Sequence, residues 1–253
     1  MAAALPLLSG QAPPQDMDSL LDKLSGKVKA SSDYQEWSAS VISTITKMDK
    51  NWEPEEVTVV TKSVGSSREG GPWEKIQEAR QTKNGKTTDI TRKYAQERQK
   101  ERDKAARRRA EAEKDEPGSD RGGGGAMALD EFLPFSAARR KDYEFRLRER
   151  PVSGGPAVSV LEARAKVKDI KNWEGTFSFD PETGDLIGFD LRPSQVPKMV
   201  KELAMEIDFA VLDNRYLALK RMKFKIDGGI FIKHVRQVVE DVYADFTVLG
   251  QGN

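Results

Sequence analysis

Large apolar side chains are missing from the centre of this chain, and that gap limits what it can fold into. All ten Phe lie after position 131, and no Leu occurs between Leu24 and Leu129. Between Gly65 and Ala126 the only large apolar or aromatic residues are Trp73, Ile76, Ile90 and Tyr94. Ordering a backbone costs roughly 1–2 kcal/mol per residue, more than these few side chains can offset by burial. The sequence therefore reads as three parts. Residues 1–64 are an N-terminal tail with an amphipathic helix, and 65–126 a largely disordered linker holding a solvated charged helix. Residues 127–253 are a globular domain with an ordinary share of Leu, Ile, Val and Phe.

Asp33, with Glu36 three residues on, reads as a helix cap. Tyr34, Trp37, Val41, Ile42, Ile45 and Met48 then recur at helical spacing and predict an amphipathic helix over about 34–48. A shorter helix, capped by Asp18 or Ser19, carries Leu20, Leu21, Leu24 and Val28. In the centre, Asp89 precedes a run to 116 that is free of Gly and Pro and rich in Arg, Lys, Glu, Gln and Ala. It predicts a solvated helix without the apolar heptads of a coiled coil. Pro117 and Gly118 end it, and four glycines at 122–125 make a tether. Beyond, Leu129, Phe132, Leu133 and Phe135 cluster. Ser159 starts a helix to Ile170, Ser194 another to Val211, and Val235, Val238, Val239, Val242 and Phe246 mark a third. A hairpin spans 173–191 around a Pro- and Gly-containing turn, and 215–226 is a strand with Arg221, Lys223 and Lys225 on one face. Helix, hairpin, helix, strand, helix predicts an α+β C-terminal domain.

Composition argues against most catalysis. Lys and Arg number 42 against 41 Asp and Glu, with one His and no Cys. There is thus no disulfide framework, thiol nucleophile or multi-His metal site. No Walker A loop, G-x-G-x-x-G or G-x-S-x-G motif is present. His234 reads as structural, Gly228 and Gly229 as loop glycines, and Asp180, Glu182 and Asp185 as turn residues. No enzyme, cofactor or metal is expected. Residues 1–8 lack a basic stretch and are broken by Pro6, so no secretory signal is expected, and no apolar run is long enough for a transmembrane segment.

The leading expectation is an intracellular assembly or adaptor protein, cytoplasmic or nuclear. Its partner-binding stripe is Tyr34, Trp37, Val41, Ile45 and Met48, and its C-terminal domain holds a second protein; self-association is compatible with this layout. The alternative is an RNA-binding accessory protein. From Arg92 to Arg109 nine Lys and Arg face three Asp and Glu, and Arg92, Lys93, Arg98, Lys100, Arg102, Arg107, Arg108 and Arg109 are candidate phosphate contacts. Arg221, Lys223 and Lys225 form a second basic patch. The layout, without any matching motif, is similar to that of polymerase cofactors of negative-strand RNA viruses.

Overall fold

The structure, a computed structural model, describes residues 16–32, 34, 36–68, 71–115, 133–150, 157–230 and 233–249. Its body is one antiparallel sheet of eleven strands. The first four are β1 (Glu36–Met48), β2 (Pro54–Ser67), β3 (Gly71–Lys83) and β4 (Lys86–Asp89). The next four are β5 (Tyr143–Arg150), β6 (Val158–Ala165), β7 (Trp173–Phe179) and β8 (Leu186–Pro193). The last are β9 (Val200–Leu212), β10 (Tyr216–Ile230) and β11 (Lys233–Leu249). Helices α1 (Met17–Ser32) and α2 (Thr91–Asp115) accompany them.

Two meanders, β1–β4 and β5–β11, join where the first strand pairs with the last, in the order β4-β3-β2-β1-β11-β10-β9-β8-β7-β6-β5. This overturns the α+β expectation. The helix expected over 34–48 is β1. Its Val41, Ile42, Thr44, Ile45 and Thr46 are β-branched and suit a pleated surface. Its buried residues Ala39, Val41 and Ser43 alternate at period two. The helices expected after Ser159, Ser194 and Val235 are β6, β9 and β11, and in β9 Met205, Ile207 and Phe209 are buried in strict alternation.

The centre also differs from the disordered linker expected. It contains the end of β2, all of β3 and β4, and α2. In β3 the one fully buried side chain is Ala79. The strand is held by main-chain pairing to β2 along its length, from Glu56 opposite Lys83 to Ser67 opposite Gly71. A strand added to an existing sheet needs backbone partners more than a core of its own. The tail before residue 16, Phe132 and the glycine tether lie outside the described residues.

Register sorts the side chains into two faces. On the first, a row of directly paired residues runs Leu147, Leu161, Phe177, Phe189, Ile207 and Met222 from β5 to β10. It continues through Asp241 of β11 and Ser43 of β1 to Val60 and Ala79. This is the helix face. α1 lays Leu20, Leu21, Leu24 and Val28 onto its C-terminal half, in one cluster with Phe135, Phe177, Leu191 and Phe209. Lys27 to Asp185 at 3.1 Å and Arg140 to Asp22 at 2.5 Å tie the helix to the turn after β7 and to the segment before β5. The opposite face carries Ile42, Val242, Arg221 and Asp208 in register and is rich in charge.

Candidate functional site

The apolar row of the helix face is interrupted at one place. Ser43 and Asp241 are paired across β1 and β11, and are 2% and 8% exposed. The Ser43 Oγ and Asp241 Oδ1 are buried and make no hydrogen bond among the described residues. Near them α2 packs against β3. Its start is held by the Thr91 Oγ1, which accepts from the Ala79 N–H at 2.9 Å, and by the Asp89 carboxylate, which accepts from the Thr91 N–H at 2.8 Å. This brings Arg98 of α2 to 3.2 Å from Glu74 of β3, with Lys62 of β2 at 3.9 Å from the same carboxylate. Burial alone would raise the Glu74 pKa, but the Arg98 hydrogen bond and the Lys62, Arg98 and Arg102 charges hold it below the usual range. Burial pushes the Tyr94 and Tyr243 hydroxyls up, and the nearby Glu74 and Asp241 charges add to both shifts. The result is a polar island of seven residues in an apolar sheet face.

The charged face holds a cavity of about 510 Å³ lined by Glu162, Glu174 and Asp190 with Arg164, Lys168 and Arg192. Most of its charge is spent internally. Arg164 lies 2.7 Å and Arg148 3.0 Å from Glu162, while Lys168 lies 2.6 Å and Arg192 3.8 Å from Glu174. Burial, then the Glu206 charge, raises the Asp190 pKa. No His or Cys joins the cavity lining, and no cluster of three metal-ligating residues occurs among the described residues. His234 sits instead in the β10–β11 hairpin, hydrogen-bonded to Asp227, whose other oxygen is 3.4 Å from Arg236.

The residues expected to bind a partner do not form a surface stripe. Val41 is 1% exposed on the helix face and Ile45 is half-buried there. Trp37 stacks on Phe246 at 5.2 Å, the Tyr34 hydroxyl donates to the Leu217 carbonyl at 2.8 Å, and Met48 is half-buried. Burial pushes the Tyr34 pKa up to about 12. The adaptor reading required an exposed helical stripe and a separate α+β domain; neither is present, because strand periodicity turns alternate residues inward.

The basic strand patch is neutralised across its ladders. Arg221 lies 2.7 Å from Asp208, 3.2 Å from Glu240 and 3.4 Å from Glu206. Lys223 lies 3.6 Å from Glu206, and Lys225 lies 2.9 Å from Glu202 and 4.3 Å from the centre of the Trp52 ring. Three cations thus face four carboxylates, which leaves no positive field for a phosphate backbone and removes the RNA-binding expectation for this patch. On α2, Arg98 is engaged by Glu74 and Glu101, while Arg92, Lys93, Lys100, Arg102 and Arg107 are exposed. The Arg108 and Arg109 side chains lie outside the described residues. The sequence reading missed Ser43, Glu74 and Asp241; the one available signal was Asp241 in period-two register with Val239 and Tyr243 in a Val-rich run.

No protein-family model and no curated protein matches the sequence. Among solved structures, the chain is similar to a LolA superfamily protein from Nitrosomonas europaea, with 10% identity, a TM-score of 0.34, and coverage of 92% of this chain and 94% of that one. A domain described as outer membrane lipoprotein-sorting, from Vibrio parahaemolyticus, gives 10% identity, a TM-score of 0.39, and coverage of 92% and 93%. MucB in complex with MucA(peri) gives 8%, a TM-score of 0.26, and coverage of 91% and 94%. The cytoplasmic or nuclear placement, which rested only on the lack of a basic stretch and of a long apolar run, is withdrawn. At such scores the likeness carries no argument about function. No described helix is long and apolar enough to cross a membrane.

Proposed function

We propose that this protein is a non-catalytic binding protein that holds a long apolar chain against the helix face of its sheet. The observation that supports it most is a second register row. Leu191, Met205, Phe224, Val239 and Ile45 follow one another across β8, β9, β10, β11 and β1 without a polar residue. Leu191 and Met205 are buried, whereas Phe224, Val239 and Ile45 are only half-buried. The geometry accounts for the difference. Eleven strands at ~4.8 Å spacing make a sheet ~50 Å wide, whereas the 16 residues of α1 span only ~24 Å. Apolar surface is therefore left between α1, which contacts β10, and α2, which contacts β3, in a shape that suits an extended aliphatic chain.

The test is binding of the neutral fluorophore N-phenylnaphthylamine to the full chain, followed by displacement with dodecanol. Saturable binding is expected, and Phe224→Asp should weaken it about tenfold or more, since a charge on an apolar contact surface is strongly disfavoured. Non-saturable binding, or unchanged affinity in the variant, contradicts the reading. A protein partner is the second reading. It is favoured by β5, which ends the sheet and, among the described residues, pairs with β6 alone. An extended segment could add there as a further strand.

A further inference from the structure

We propose that the Ser43–Asp241 pair is the anchor for a primary ammonium group on the bound chain, so that the protein selects cationic amphiphiles over neutral or anionic ones. The proposal rests on the apolar-chain reading above and adds the head group to it.

The polar island contains two carboxylates facing the helix side, Glu74 and Asp241, and two cations, Lys62 and Arg98. Both cations are committed to Glu74, at 3.9 and 3.2 Å. Among the described residues Asp241 has no ion pair, although it is 8% exposed. A buried carboxylate without a counter-charge is costly, and proteins that keep one supply it with a cation. Nothing described on the neighbouring strands does so: its partners across the ladders are Ser43 and Met222.

Hydrogen bonding points the same way. The Asp241 Oδ1 and Ser43 Oγ are both unbonded and both accept. An ammonium group offers three donors, enough for both oxygens with one to spare. A carboxylate or phosphate head group offers none and would add a like charge. Tyr94 and Tyr243 lie close enough to feel the Asp241 charge, and aromatic side chains around an anion make a favourable setting for a cation.

Position completes the case. Asp241 and Met222 are neighbours in one row, and Val239 and Phe224 are neighbours in the next. An ammonium at Asp241 therefore leaves an alkyl chain directly over the half-buried apolar row, running toward β9 and β8.

The test displaces N-phenylnaphthylamine from the full chain with dodecylamine, dodecanol and laurate. Dodecylamine is expected to compete about tenfold or more better than dodecanol, and laurate worse than either. Asp241→Asn should bring dodecylamine to the level of dodecanol while leaving dodecanol within about twofold of wild type, which also shows that the variant is folded. Ser43→Ala should reduce the preference in the same direction. Glu240→Gln, one residue away but on the charged face, should leave the preference intact and so controls for general attraction of cations. Equal competition by dodecylamine and dodecanol in wild type, or a preference that survives Asp241→Asn, overturns the anchor while the apolar-chain reading stands. A probe that none of the three amphiphiles displaces overturns both.

Discussion

At the scale of single residues, the strands show how much is decided by what lies across the ladder. Glu56 is 7% exposed, faces Lys47 across β1 and Lys83 across β3, and forms ion pairs with both. The Lys47 hydrogen bond, acting against burial and supported by the Lys83 contact, holds its carboxyl below the ordinary value of 4.5. A carboxyl whose folded pKa is lowered adds stability above its unfolded pKa, and that stability is lost as pH falls through the folded value. Unfolding midpoints in urea should therefore drop as the pH is taken below about 4.5. Lys47→Ala should flatten that part of the profile; an unchanged acid slope in the variant would show that the pair contributes nothing. Gly65 shows the same dependence sterically. A Cβ there would sit 2.3 Å from the Trp37 carbonyl and 2.6 Å from the Trp73 ring, so the close approach of β1 to that ring needs a glycine.

At the scale of elements, α1 was readable and most strands were not. Leu20, Leu21, Leu24 and Val28 make a compact stripe, and the structure buries all four. Its start lies slightly earlier than the caps read from sequence: the Asp16 carboxylate accepts from the Asp18 N–H at 3.3 Å, and the Asp16 carbonyl from the Leu20 N–H at 3.0 Å. Leu21 is 2% exposed, so Leu21→Ala should cost about 2–5 kcal/mol in unfolding free energy, measured by denaturant titration. A loss below about 1 kcal/mol would mean that α1 is not part of the folded core. The hairpin at 173–191 was also legible, because 180–185 carries its own turn chemistry: the Asp180 carboxylate accepts from the Glu182 and Thr183 N–H groups at 2.8 and 2.9 Å. β1, β9 and β11 have no such local mark. Their apolar residues fit both a helical stripe and a two-faced strand, and a run of a dozen or more residues favours the helical reading by length alone.

At the scale of the whole molecule, the seam between β1 and β11 joins the two ends of the chain, from Glu36 opposite Leu249 to Lys47 opposite Gln237. Each half then depends on the other for main-chain partners. The four tryptophans report on both, with Trp37, Trp52 and Trp73 in the β1–β4 half and Trp173 in β7 of the other half. Single-tryptophan variants retaining Trp73 or Trp173 should unfold at the same urea concentration, and Val239→Pro, within the seam, should lower both midpoints together. Two separate transitions would mean that the meanders fold independently. The amino-acid sequence by itself determined α1, the 173–191 hairpin, the charge of α2 and the lack of thiol or multi-histidine chemistry, because each depends on residues close together in the chain or on composition alone. Only the tertiary structure decided that the apolar-poor centre folds, that Arg221 is neutralised and that the Asp241 Oδ1 finds no hydrogen-bond partner among the described residues. Each of those follows from which strand lies alongside, and β1 and β11 meet across nearly the full length of the chain.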